Sequence, residues 1–150
     1  MTSISTAQTI DGVPTYLDGG DPAGRFADYY PVWLDNLADE VTVEGTLLDG
    51  AVQGAEAVRS IIVTIRSLYE RQDFNFAGPW GERDFIEDYV AEVQGEPIAC
   101  LGKITRDASG KTQHIAANYR PLSSALLLSR LVGEKFTGTP IAAHFCASES

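Results

Sequence analysis

Three segments between residues 83 and 120 decide the fold: RDFIEDYVAEV at 83–93, IACLGKIT at 98–105 and TQHIAANY at 112–119. Each reads as a β-strand. The intervening QGEP at 94–97 and DASGK at 107–111 supply the Gly, Pro, Asp and Ser that tight turns use, so the three strands form an antiparallel meander. A strand shows alternate side chains to two faces. One set is Asp84, Ile86, Asp88, Val90, Ile98, Cys100, Gly102, Ile104, His114, Ala116 and Asn118. It is mostly apolar, with polar members that a buried face tolerates only when they are paired, and it is the candidate site. A shift of one residue brings Phe85, Glu87, Tyr89, Ala99, Leu101, Ile115, Ala117 and Tyr119 inward instead. That set is equally apolar, and both assignments stay open at this level.

Upstream of the meander, residues 73–77 read as a short strand and 78–81 as a turn. The strongest helix covers residues 55–70. Val58, Ile61, Ile62, Ile65, Leu68 and Tyr69 form one apolar stripe, with Glu56 at the positive end of the dipole and Arg66 and Arg71 at the negative end. A strand is expected at 41–48, closed by Asp49-Gly50, and a helix from Pro31 to about Asp39. Gly12, Pro14, Gly19, Gly20, Pro22 and Gly24 make residues 1–24 an irregular arm, followed by a short helical turn near 25–29. After the meander, Pro121 opens a helix over 122–132 that Gly133 stops. Its apolar residues run nearly all round, so both sides need cover, from the fold itself and from a second subunit. The domain is expected over 25–135. Residues 136–150 form an extended tail in which 140–145 is able to dock.

The chain of 150 residues carries a formal charge of −10 and 44% hydrophobic residues, which suit one globular domain. That charge argues against nucleic acid, because phosphate binding needs clustered Lys and Arg. No apolar run approaches the ~20 residues of a membrane span, and the first residues lack a signal-peptide pattern, so a cytoplasmic location is expected. Cys100 and Cys146 read as free thiols, with neither a disulfide framework nor a zinc motif. Residues 50–54 lack the GxxxxGK[ST] pattern of a phosphate loop. No metal or cofactor is expected.

Residues 37–62, LADEVTVEGTLLDGAVQGAEAVRSII, with NYRPLSSALL at 118–127, resemble the nuclear-transport-factor-2-like superfamily. That superfamily includes ketosteroid isomerase, limonene-epoxide hydrolase and the SnoaL-like polyketide cyclases. The resemblance spans about residues 28–130. It implies an α+β fold in which a cone-shaped, curved antiparallel sheet wraps around a long helix and encloses an apolar pocket. It also implies a homodimer through the outer sheet face. By the same resemblance the isomerase base falls at Gly45 and its acidic oxyanion donor near Gly102. The hydrolase positions fall at Asp88, Val90 and Asn118, and the cyclase base at Asn118. Those acid sets are broken here, and the family's long N-terminal helix has no clean counterpart in residues 1–24.

Within the first face assignment, His114 is the candidate general base, Asp88 its orienting carboxylate and Asn118 a polarising donor. Tyr30, Trp33, Trp80, Ile86, Val90, Cys100 and Ile104 are the candidate ligand-lining residues. Structural readings compete throughout: His114 exposed, Asp88 on a solvated acidic edge, Asn118 bonded to a loop, Trp33 in the core. The function expected is cofactor-free acid–base chemistry on a small apolar molecule, by cyclisation, isomerisation, dehydration or epoxide opening. The competing expectation is a non-catalytic ligand-binding or assembly module of the same fold.

Overall fold

The computed structural model describes residues 31–146 and the backbone of residues 8–10 and 13–15. Within the stretch expected to be an irregular arm, β1 (Gln8–Ile10) and β2 (Val13–Thr15) pair antiparallel. They lie against β5 (Arg71–Trp80). The helical turn expected near residues 25–29 falls outside the described residues.

The main sheet has six strands, in the order β4 (Val52–Gln53), β3 (Leu37–Gly45), β8 (Thr112–Arg120), β7 (Glu96–Arg106), β6 (Asp84–Val93) and β5. All neighbours are antiparallel except β3 and β8, which run parallel. The sheet is therefore mixed where a purely antiparallel one was expected. It bends at register shifts between Phe74 and Phe76, between Leu37 and Thr42, and between Thr105 and Arg106, as bulges do.

Helix α1 (Ala55–Leu68) forms where the apolar stripe predicts it, burying Val58, Ile61, Ile62 and Ile65. It sits on the concave face with β3 beneath it. β6 alternates half-buried and buried at every residue, the pattern of a strand with one face on a core.

Three element boundaries differ from expectation, and long-range pairing explains each. The helix expected over 31–39 is a four-residue 3-10 helix, Val32–Asp35. The chain then enters β3 at Leu37, because Thr112 N–H donates to Asn36 O at 2.8 Å and Leu37 pairs with Thr112. β5 is ten residues long, because β6 pairs with it from Arg71 to Trp80. Helix α2 (Leu122–Lys135) passes through Gly133, which makes room for the tail instead of ending the helix. A Cβ there would lie 3.0 Å from Phe145 Cβ and 3.2 Å from Cys146 O.

That tail docks. After a short 3-10 helix, Pro140–His144, Phe145 is buried beside Phe136. Asp49 N–H donates to His144 O at 2.7 Å, and Cys146 N–H donates to Ser129 Oγ at 3.0 Å. One side of α2 is covered by these contacts and by the sheet. Leu122 and Leu126 on the other remain 69% and 45% exposed.

β3 approaches β8 closely at Gly45, whose φ is +150°. A Cβ there would stand 1.9 Å from Ala117 O, so no side chain fits. Gly45→Ala is expected to destabilise the fold by about 3 kcal/mol or more in urea unfolding. Gly50→Ala, at φ +84° but with nothing near its would-be Cβ, should cost only about 1 kcal/mol.

Candidate functional site

Directly opposed residues of antiparallel strands share a face. Three rows therefore cross the concave side of the meander. The first is Tyr89, Cys100 and Tyr119, the second Glu87, Gly102 and Ala117, the third Phe85, Ile104 and Ile115. Gly45 extends the middle row on β3. That row has Glu87 at one end and then almost no side-chain bulk, so it forms a trench between the aromatic ridge of Tyr89 and Tyr119 and a second, fully apolar one. Ile62 and Ile65 of α1 cover it. A cavity of about 40 Å³ lies there, with Trp33 and Pro31 on one wall and the half-buried Arg66 and Gln72 also lining it. That is room for a few waters and well short of the roughly 300 Å³ of a drug-sized site.

Glu87 is buried, and Trp33 Nε1–H donates to its Oε2 at 3.1 Å. Trp33 is held in turn through the 3-10 helix: Thr112 Oγ1–H donates to Trp33 O at 3.0 Å, and Arg59 Nη1–H donates to Leu34 O at 3.0 Å and Asp35 Oδ1 at 2.6 Å.

The aromatic ridge carries a cluster of three hydroxyls. Tyr69, at the end of α1, places its Oη 2.7 Å from those of both Tyr89 and Tyr119, which are 3.4 Å from each other. The two short bonds use two of the three hydroxyl protons, and the third closes the ring through the long Tyr89–Tyr119 bond, the weakest of the three. Burial pushes all three phenols well above their ordinary range, and pushes the Cys100 thiol up to about 12. These groups are neutral donors near pH 7, and Cys100 is no thiolate nucleophile.

The residues expected to carry catalysis do not meet at this cavity. His114, Asp88 and Asn118 project from the opposite, convex face. Val93 pairs with Glu96 across the two-residue turn Gln94-Gly95, so odd positions on β6 oppose even positions on β7, which in turn oppose odd positions on β8. The all-even set read from the sequence mixes two faces, and the true concave face is a hybrid of the two candidate sets. His114 Nε2 lies 2.6 Å from Glu44 Oε2, and Asn118 Nδ2–H donates to Leu101 O at 3.3 Å. Asp88 Oδ1 is buried with no hydrogen-bond partner among the described residues. Ile86 and Val90 share that convex face, so they do not line the cavity. Trp80 is 65% exposed at the far end of β5, beside Arg83 and Arg106. Trp33, Cys100 and Ile104 do line the cavity, and Tyr30 lies outside the described residues. Glu87, Tyr89 and Tyr119 belong to the second face assignment and Tyr69 to the helix stripe, but none of them is assigned a chemical role from the sequence. Their signal is a carboxylate and phenols at alternate positions of an otherwise apolar face.

No protein-family model matches the sequence, and no curated protein matches it. The fold has clear counterparts among solved structures. An uncharacterized protein of Silicibacter pomeroyi with a cystatin-like fold aligns with TM-score 0.65 and 14% identity over 71% of this chain and 75% of that one. A steroid delta-isomerase of Pseudomonas aeruginosa aligns with TM-score 0.63 and 17% identity over 68% and 75%. A de novo designed curved-sheet protein aligns with TM-score 0.52 and 14% identity over 63% and 75%. At these identities the likeness is one of fold. The α+β architecture expected from the nuclear-transport-factor-2-like resemblance is the one observed.

Each raised group keeps its proton in the folded state after the unfolded chain has lost it. The stability it lends is complete below the unfolded values, 9.0 for Cys and 10.0 for Tyr, and declines as pH rises beyond them. Spectrophotometric titration should show three of the six tyrosines ionising only as the fold is lost. Tyr119→Phe should cost about 1–2 kcal/mol at pH 7 and flatten the fall in stability above pH 10.0.

Proposed function

We propose that the chain binds a small, mostly apolar molecule bearing a carbonyl oxygen and transfers a proton at the carbon next to it. One observation carries this reading: a buried carboxylate and a cluster of neutral phenols face the same apolar cavity across a trench of small residues. Glu87 and Tyr89 are two residues apart on one strand, so their positions differ by ~7 Å along it, a span suited to an α-carbon and its carbonyl oxygen. Glu87 takes the α-proton, with Trp33 fixing the carboxylate. The oxyanion that develops accepts the proton that the cluster otherwise spends on its long 3.4 Å Tyr89–Tyr119 bond, strengthened by the hydroxyls behind it. The proton then returns from Glu87 to carbon, so the cycle needs no co-reactant. The steroid delta-isomerase among the fold's counterparts supports this reaction class.

Binding without turnover is the second reading. It is favoured by Gly45 and Gly102, which stand where the family resemblance would place a base and an acidic donor.

For the assembly we propose a homodimer through the convex face. There β6 presents Asp84, Asp88 and Glu92, while β8 presents His114, Asn118 and Arg120 in a column two strands away. A two-fold axis running along β7 sets each column against the other's complement and stacks Leu101, 44% exposed, on its own copy. An axis across the strands would oppose acid with acid.

Cyclohexanone in D2O tests the chemistry. The protein should bind it in preference to methylcyclohexane and speed exchange of its α-hydrogens, read by NMR. Glu87→Gln should lower exchange by about 10²–10⁴-fold while preserving binding. Tyr119→Phe should weaken binding about tenfold, and His114→Ala should change neither. Equal affinity for the hydrocarbon sinks the reading, whereas ketone binding with no exchange above buffer selects binding alone. Analytical ultracentrifugation tests the assembly: a dimer that Leu101→Glu dissociates is expected, and a wild-type monomer rules it out.

A further inference from the structure

Glycine in the middle of a strand forfeits packing and backbone entropy, so it needs a reason. Gly45 has two, a positive φ and a backbone 1.9 Å from its would-be Cβ. Gly102 has neither. It is buried in the centre of β7, outside the positive-φ set, and a Cβ there would meet Ala116 O at 3.8 Å and Glu87 O at 3.9 Å, ordinary contact distances. Nothing in the folded chain forbids a side chain at 102. What a side chain would occupy is the floor of the cavity.

We infer that Gly102 is the seat of the ligand: a small ring lies directly on the β7 backbone there, with Ala117 continuing the floor and Ile62 and Ile65 as the roof. The absent Cβ sets the depth of the site and so the thickness of what it admits. Glu87 closes one end of the floor, which brings an occupant of Gly102 against the carboxylate by position alone. This assignment rests on the proposed binding reading for the nature of its ligand. The empty floor itself does not depend on that chemistry.

Two probes separate the inference from the reading beneath it. Xenon needs an apolar void and no carbonyl chemistry. Under xenon pressure, the amide resonances of Gly102 and Ala117 should shift in the wild type and stay fixed in Gly102→Ala. Shifts that survive in Gly102→Ala overturn the inference. Cyclohexanone should show nuclear Overhauser contacts to the Gly102 α-protons, and its Kd should rise about tenfold or more in Gly102→Ala. An unchanged Kd overturns the inference and leaves the binding reading intact. Wild-type protein that takes up xenon at Gly102 but refuses cyclohexanone supports the floor and sinks the carbonyl reading. The thermal midpoint guards against a folding artefact: Gly102→Ala should match or exceed the wild type. A marked loss of stability would make the glycine structural and overturn the proposal.

Discussion

A two-residue turn governs the molecule. Gln94 and Gly95 both take positive φ, 50° and 79°, the pattern of the hairpin turn whose twist matches that of paired strands. Because the turn spans two residues, Val93 meets Glu96, and from that pairing follow Tyr89 opposite Cys100 and Glu87 opposite Gly102. Strand side chains alternate, so a slip of one residue on β6 would exchange its two faces. Asp88 would enter the core and Glu87 would enter solvent. The hydroxyl cluster, the trench and the carboxylate at its end all depend on this one closure.

Around that closure, single hydroxyls fasten helices and tail to the sheet. Ser124 Oγ–H donates to Pro97 O at 2.8 Å, and Ser129 Oγ–H donates to Leu47 O at 2.7 Å while accepting from Cys146 N–H. Thr112 does the same for the segment that carries Trp33. Each of these hydroxyls is buried in a residue with a partner, which avoids the cost of an unpaired polar group and fixes how the layers meet. Position within the core is set by oxygen as much as by carbon.

What could be read in advance follows the range of the forces involved. The α1 stripe and the turn residues of the meander are local signals, and they placed the helix and three strands. The start of β3 and the length of β5 depend on partners far along the chain, so propensity misjudged both. The helix expected from Pro31 yielded to pairing with Thr112. The choice of face stays open in the sequence for a related reason. Alternation says that each strand has two faces, but only pairing says which faces coincide. His114, Asp88 and Asn118 do share a face, the convex one, while Ile98, Cys100, Gly102 and Ile104 of the same set face the other way. The tyrosine cluster draws on α1, β6 and β8 together, and no single stretch of sequence brings those three phenols within reach of one another.

The parallel pairing of β3 with β8 also has a temporal meaning. The hairpins of β5 through β8 close between neighbours in the chain, whereas Glu44 meets His114 across a separation of 70 residues. Closing so long a loop costs entropy that short-range contacts must first offset. Loop entropy alone favours the meander forming first, and a chain made from its N-terminus cannot pair β3 with β8 until β8 exists. Until then the β8 edge that takes β3 has no strand beside it.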